Sequence, residues 1–159
     1  MSYTIEVSMM SFRHESLTIV EKGVWGGGGG GVWTEDQNKQ ILRINGSGAS
    51  GALRIKSAAG NQFFALVGVH NYKLWVDVVT DIRDNDTVVA LLPQYYSGGS
   101  RSGVSLVQEV QGSDAAGRNI SLRLEGVSPD GKTFYCSIII VWTLYNTLSL
   151  FYLKQKRNL

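Results

Sequence analysis

Polar and apolar residues alternate from the start of the chain: Tyr3, Ile5 and Val7 fall on one side of an extended segment, Thr4, Glu6 and Ser8 on the other. A period of two marks a half-buried strand. The pattern returns at Ile120, Leu122 and Leu124 against Ser121, Arg123 and Glu125, and at Leu53 and Ile55 against Arg54 and Lys56. Phe63 to Val69 is almost wholly apolar, which suits a strand buried on both faces. Ile41 to Ile44 and Val88 to Leu92 are shorter strand candidates, and Phe134 to Ile140 closes the series. Turn residues recur at close spacing between these runs, as in an all-β sandwich. One segment departs from the pattern. Tyr72, Trp75, Val76, Val79 and Ile82 follow helical spacing and predict a short amphipathic helix over 72–83, with Lys73 and Asp77 turned to solvent or a ligand.

Composition narrows the classes. A chain of 159 residues is most simply one domain with a core of its own. Nineteen Gly and two Pro suit many turns and few long helices. The single cysteine, Cys136, excludes an intrachain disulfide and suits a reducing compartment; two His and one Cys cannot close a Cys/His zinc site, so no metal or cofactor is expected. A net charge of +2 with dispersed charges gives no footprint for nucleic acid. Met1 to Phe12 lacks the basic and apolar regions of a signal peptide, so the expected location is cytoplasmic. At the other end, Ser137 to Leu153 is mostly apolar and is followed by Lys154, Lys156 and Arg157. Asn146, several hydroxyls and the need for Phe134 to Ile140 as a strand favour an extra strand or packed tail over a membrane span.

Two nucleotide-binding patterns occur, and neither has the right surroundings. Gly126-Val127-Ser128-Pro129-Asp130-Gly131-Lys132-Thr133 matches the P-loop, which must be followed by a helix whose N-terminus meets phosphate. Here a β-branched and aromatic run follows, and Pro129-Asp130-Gly131 reads as a tight turn. Gly46-Ser47-Gly48-Ala49-Ser50-Gly51 matches the dinucleotide pattern but precedes a strand-like segment. It reads as a turn, or as a site where Ser47 offers a hydroxyl and Gly48 a backbone N–H to a sugar oxygen. The glycine run Gly26 to Gly31 is likewise a flexible turn or a loop whose bare backbone nears a ligand. No G-x-S-x-G elbow surrounds any serine, Asp84 and Asp86 read as solvated in a polar turn, and Trp25, Trp33 and Trp75 read as core.

The densest chemistry lies in Gly68 to Thr80, which gathers His70, Asn71, Tyr72, Trp75, Asp77 and Thr80. Planar polar side chains bond ring hydroxyls, and aromatic rings cover the apolar face of a pyranose. This segment and Asn45 to Arg54 resemble the fungal fruit-body lectin family. The resemblance extends to Ser2-Tyr3-Thr4-Ile5-Glu6-Val7, Val20-Glu21-Lys22 with Val24-Trp25, Trp33, Gln94-Tyr95-Tyr96-Ser97 and Gly117-Arg118-Asn119, across residues 1–141.

The resemblance implies a mainly β, two-sheet antiparallel sandwich with a short helix–loop–helix connection, actinoporin-like in shape. It implies a lectin domain over 1–141, followed by an atypical apolar–basic extension over 142–159. It implies carbohydrate binding without catalysis, at two sites per subunit of a homotetramer. The site for Galβ1-3GalNAc corresponds to Gly28, Ser47, Gly48, His70 and Asn71. The site for terminal GlcNAc corresponds to Asp77, Val78, Thr80 and Arg101, with Asp77 accepting two sugar hydroxyls, Thr80 one, and Arg101 donating. The chain departs from the family in lacking a Tyr between Arg101 and Arg118. Partners are then glycans and glycoproteins, with membranes met only through glycoconjugates. The alternative from another class is a membrane-active, pore-forming protein of the same shape, which the apolar–basic tail would favour.

Overall fold

The computed structural model describes residues 1–13, 15–26, 30–104 and 106–143. It is mainly β, with two packed sheets. Among the described residues, ten strands run in the order β1 (Tyr3–Ser11), β2 (Leu17–Trp25), β3 (Gly31–Asp36), β4 (Lys39–Ile44), β5 (Ala49–Ser57), β6 (Gln62–His70), β7 (Lys73–Thr80), β8 (Glu109–Ser113), β9 (Arg118–Val127) and β10 (Thr133–Trp142). One sheet has the order β3-β4-β1-β10-β9-β8 and the other β2-β5-β6-β7. All pairings are antiparallel except β1 with β10, where Ile5 lies opposite Phe134 and Val7 opposite Cys136.

The alternating strands occupy the expected places. Tyr3, Ile5 and Val7 of β1 and Ile120 and Leu122 of β9 point into the space between the sheets, where they meet Leu53, Ile55, Phe63, Val67 and Val76 of the second sheet. Removal of this apolar surface from water drives the two sheets together, at about 25 cal/mol per Å². β6 is buried on both faces, as its continuous apolar run predicts. β5 is too, against the expectation of a half-buried strand, because the second sheet carries another layer on its outer face.

That outer layer is a single short α-helix, α1 (Val88–Leu91), running directly into a 3-10 turn over Leu92–Tyr95. The helix–loop–helix connection is reduced to this one continuous piece. Val88 to Leu92 is therefore not a strand. Thr87 caps α1 by accepting from the Ala90 N–H at 3.2 Å, and Glu21 of β2 accepts from the Val88 N–H at 2.8 Å. Under α1, Ala52, Phe64, Leu66 and Trp75 form a second apolar cluster with Val88, Leu91 and Leu92. Arg54 is buried rather than solvated. Its guanidinium donates to Gln62 Oε1 at 2.7 Å and to the carbonyls of Arg83, Asp84 and Asp86 at 3.0, 3.2 and 2.5 Å. These bonds tie the loop before α1 to the sheet and so fix the position of the helix and of Tyr95 and Tyr96 beyond it.

The predicted helix over 72–83 is a strand, β7, hydrogen-bonded to β6 from His70↔Lys73 to Phe63↔Thr80. The apparent helical spacing arises because Leu74 to Asp77 is buried on both faces, so no single face stands out. The β-branched Val76, Val78, Val79 and Thr80 suit a pleated surface.

Candidate functional site

Hairpin β6–β7 has a loop of only two residues, Asn71 and Tyr72, with φ of 47° and 65°. This mirror-image turn matches the twist of the strands it joins. It thrusts His70 and Asn71 outward at the sheet's end, where both are exposed. Among the described residues, neither side chain is engaged in a hydrogen bond. The turn before β5 lies alongside: Ser47 Oγ accepts from the Tyr72 N–H at 3.3 Å, and the Gly48 N–H donates to the Val69 carbonyl at 2.7 Å. Ser47, Gly48, His70 and Asn71 are thus brought together, while Gly28 lies outside the described residues. The Gly48 N–H is already used within the protein, which overturns the expectation that it faces a sugar. Gly48 instead supplies φ of +90°, with open space where a side chain would stand. Gly26 packs against this turn; a Cβ there would sit 2.6 Å from the Ala49 Cα, so the start of the glycine run is held beside the hairpin tip.

Below the tip lies a cleft of about 290 Å³ whose walls include Gly48, His70, Trp75, Tyr95, Tyr96 and Arg101. Its floor is aromatic. Trp75 stacks on Tyr95 with centroids 5.4 Å apart, and it reaches this position because β6 has Gly68 opposite it: a Cβ on Gly68 would lie 2.5 Å from the Trp75 Nε1. Tyr96 shares a 2.7 Å hydrogen bond with Ser50 and lies 6.1 Å from Trp25. Burial raises the Tyr96 hydroxyl above its ordinary pKa, an effect partly offset by Ser50. Of the three tryptophans expected in the core, Trp75 is buried and Trp33 half-buried with its Nε1 on the Gly23 carbonyl at 3.0 Å, but Trp25 is 42% exposed. On the other side of His70, a second cleft of about 550 Å³ is lined by Asn71, Lys73 and Gln108.

The residues matched to the second sugar site are divided by the strand that carries them. Side chains alternate along β7. Val78 packs toward the inter-sheet core and Thr80 donates to the Ser113 carbonyl of β8 at 3.0 Å, whereas Asp77 faces the outer layer. There Asp77 is largely buried. Its Oδ2 accepts from the Tyr95 hydroxyl at 2.6 Å and lies 4.0 Å from the Arg101 Nη1; its Oδ1 accepts from the Val78 N–H at 2.9 Å. The structure brings Asp77 and Arg101 together and separates both from the side chains of Val78 and Thr80. The carboxylate meets protein donors before any sugar, against the expectation of two free acceptor sites. Burial pushes the Tyr95 hydroxyl well above its ordinary pKa, and the bond to Asp77 adds to this. Arg101 lies 5.8 Å from the Tyr95 ring, so an aromatic stands beside the pair although the 102–117 segment has none. Trp75, Tyr95, Tyr96 and Ser50 are not among the residues that the family resemblance matches to a site; the available signal is the unbroken Gln94-Tyr95-Tyr96-Ser97 just after a proline.

The P-loop match is the β9–β10 hairpin turn. Its backbone donors face inward: the Gly131 N–H donates to the Ser128 carbonyl and the Lys132 N–H to the Asp130 carboxylate at 3.0 Å. Ser128, then Lys132, hold the Asp130 carboxyl below its usual pKa. Among the described residues, no group of three or more His, Cys, Asp or Glu could hold a metal, and no helix is long and apolar enough to cross a membrane. β10 runs through Trp142, and the expected extension beyond Thr143 lies outside the described residues.

The fungal fruit body lectin family model matches residues 1–134. Boletus edulis lectin is 41% identical over 101 residues, which cover 64% of this chain and 71% of that protein. The crystal structure of wild-type Xerocomus chrysenteron lectin superposes with a TM-score of 0.82 at 34% identity, covering 89% of this chain and all of that one. The lipid binding protein Nakanori, at 10% identity and a TM-score of 0.53, covers 87% of this chain and 70% of its own and shares the fold alone.

Proposed function

The chain belongs to the fungal fruit body lectin family, whose members bind carbohydrate, and from that premise we propose that it recognises Galβ1-3GalNAc at the β6–β7 hairpin tip. Ser47, His70 and Asn71 supply the hydrogen bonds, and Gly28 is assigned to the site by the family resemblance alone. The carrying observation is the tip itself, where an exposed imidazole and an exposed amide stand beside the Ser47 hydroxyl with no protein partner among the described residues. Each bond to a sugar hydroxyl replaces one to water and nets only about 0.5–1.5 kcal/mol. Apolar cover from the adjacent aromatic floor must therefore add to it. Terminal GlcNAc binds at the Arg101–Asp77 pair, with Arg101 as the principal donor. The Asp77 oxygens have one lone-pair direction each left over after the protein bonds, and Val78 contributes through its backbone.

The protein binds without turnover, and assembly as a homotetramer converts weak single-site contacts into avid cross-linking of glycoproteins. A glycan array with agglutination as a second readout tests the reading. Free Galβ1-3GalNAc should block agglutination. Absence of any β-galactosyl or GalNAc signal would refute the disaccharide assignment.

A further inference from the structure

The two edges of the sandwich are closed differently. Along β7 the Val76 N–H donates to the Val107 carbonyl at 2.9 Å, and the Thr80 hydroxyl to the Ser113 carbonyl of β8 at 3.0 Å. Along β2 the sheets are bridged by side chains: Trp33 Nε1 donates to the Gly23 carbonyl at 3.0 Å, and Lys22 Nζ to Gln40 Oε1 at 2.6 Å. Beside the Lys22–Gln40 bridge the gap between the sheets stays open as a cleft of about 450 Å³. That volume lies within the range of small-ligand sites.

A bulge in β2 aims Lys22 into this gap. Ile19 lies opposite Ile55 and Glu21 opposite Arg54, so Val20 is an extra residue. Ile19 packs on the inter-sheet core, whereas Val20 is exposed and Glu21 bonds to α1 on the outer face. Lys22 is thereby returned to the inner face, where an unbulged strand would place Glu21. Bulges commonly re-aim a side chain in this way next to functional sites. Across the gap, Gln40 of β4 is only 2% exposed and holds the ammonium, while Glu35 of β3 and Asn38 of the β3–β4 turn stand exposed on the same wall. Met9, Leu17 and Ile19 form an apolar floor that continues into the core. Lys22 and Glu35 line one cleft without forming an ion pair, and among the described residues neither the Glu35 carboxylate nor the Asn38 amide has a partner.

A cation and an anion thus face each other over apolar side chains. A neutral sugar would leave both charges unmatched and would find no aromatic ring among the lining residues to cover a pyranose face. A simple anion such as a fatty acid would meet Lys22 but also the like charge of Glu35. We propose that this cleft binds a free α-amino acid with an apolar side chain of the leucine or methionine type. Its carboxylate takes the Lys22 donors left over after the bond to Gln40, its ammonium takes Glu35, and its side chain lies on Met9, Leu17 and Ile19. Both polar contacts are charge-assisted. The site shares no residue with the sugar sites and does not depend on the lectin reading.

An NMR titration of the isotope-labelled full chain with leucine tests the assignment. Saturable shifts should appear at Lys22, Glu35 and Gln40, with His70 and Asn71 unmoved. N-acetyl-leucine, which lacks the ammonium, and leucinamide, which lacks the carboxylate, should each bind at least about tenfold more weakly than leucine. Glu35→Gln, at an exposed position, should lower leucine to the affinity of N-acetyl-leucine; Lys22→Met, which keeps the aliphatic stem, should lower it to that of leucinamide. Absence of saturable shifts at these residues, equal affinities for leucine and its two derivatives, or a Glu35→Gln protein that still prefers leucine to N-acetyl-leucine would each overturn the proposal.

Discussion

The hairpin tip and the Asp77–Tyr95–Arg101 cluster share β7, which carries Asp77, yet they are built in opposite ways. At the tip the backbone is fully organised by a two-residue turn, and the side chains of His70 and Asn71 are left exposed and unengaged among the described residues. In the cluster the side chains are organised by one another: Asp77 is buried, takes the Tyr95 hydroxyl and its neighbour's N–H, and faces Arg101. A ligand at the tip exchanges water for protein. A ligand at the cluster must share groups that already hold the outer layer to the sheet. On the proposed function, the difference teaches that substitutions at the tip report on binding, whereas substitutions in the cluster report on binding and stability together.

Trp75 should break the comparison most severely, because it belongs to the core and floors the cleft between the two regions. It is 4% exposed and packs among Ala52, Phe64, Leu66 and Val88. Trp75→Ala should destabilise the protein by about 3–5 kcal/mol, read as the shift of a urea unfolding curve. Trp25→Ala, at an exposed position beside Tyr96, should change stability by no more than about 0.5 kcal/mol. Comparable losses for the two would mean that Trp75 is not the keystone of the outer layer.

The next effect separates the cluster from the tip directly. Asp77→Ala leaves the buried Tyr95 hydroxyl without its acceptor and should cost about 1–3 kcal/mol. Asp77→Asn keeps an acceptor oxygen for that hydroxyl and should retain part of the stability, although Arg101 loses its countercharge. Both should weaken GlcNAc binding by calorimetry. An Asp77→Ala protein as stable as the parent would show that the cluster is a surface arrangement.

Alkaline pH sharpens the contrast between the outer layer and the inter-sheet core. Burial, with a smaller contribution from Glu125, pushes the Cys136 thiol up from 9.0 to about 12, and Tyr95 is raised above 10.0 chiefly by burial. Both are acids whose folded-state pKa exceeds the unfolded one. The folded state therefore holds the proton longer, and the stability present below the unfolded pKa is lost as pH rises. The decline should begin near pH 9 from Cys136 and steepen above pH 10 as Tyr95 joins, by at most about 1.4 kcal/mol per pH unit for each group. Cys136→Ala should remove the first part and Tyr95→Phe the second, in urea midpoints taken across that range. A flat profile in the parent protein up to pH 11 would contradict both assignments.

Much of the framework is legible from the sequence, because strands with one face in a core leave a period of two. Tyr3-Ile5-Val7 and Ile120-Leu122 show it, and the continuous Phe63–Val69 marks β6. The misreadings share one physical cause. β5 and β7 both lie under the outer layer: in β7 burial of Leu74 to Asp77 on both faces erases alternation and leaves Trp75, Val76 and Val79 to mimic a helix, while β5 alternates in sequence but Arg54 is buried on loop carbonyls rather than solvated. Val88 to Leu92 carries two β-branched residues and looks like a strand. Its helical signal is local and small, namely Thr87 as a cap and Pro93 in the next turn. The tip residues stand out by chemical type. The aromatic floor does not, since whether Trp75, Tyr95 and Tyr96 meet in a cleft depends on where α1 sits, and Arg54 and Glu21 decide that through contacts far apart in the chain.

The smallest effect on stability, and the sharpest test of the tip, is at Asn71. Its side chain is exposed and unengaged among the described residues, so its removal takes away no packing. Its backbone, however, sits at φ 47°, where a Cβ-bearing residue without a local hydrogen-bonding side chain is strained by roughly 1–2 kcal/mol. Asn71→Ala therefore confounds two effects: loss of the amide proposed to bind sugar and strain in the turn that orients His70. Asn71→Gly does not. Glycine adopts this conformation freely, and the turn is one that favours glycine at its positive-φ positions. Asn71→Gly should keep thermal stability within about 0.5 kcal/mol of the parent and still lose Galβ1-3GalNAc binding, whereas Asn71→Ala should lose both binding and about 1 kcal/mol of stability. GlcNAc alone should still bind to the Asn71→Gly protein through Arg101, because Asn71 lies on the far side of His70 from that residue. Retention of disaccharide affinity in the glycine variant would show that the amide is a turn residue only, and would shift the recognition of galactose to His70 and Ser47.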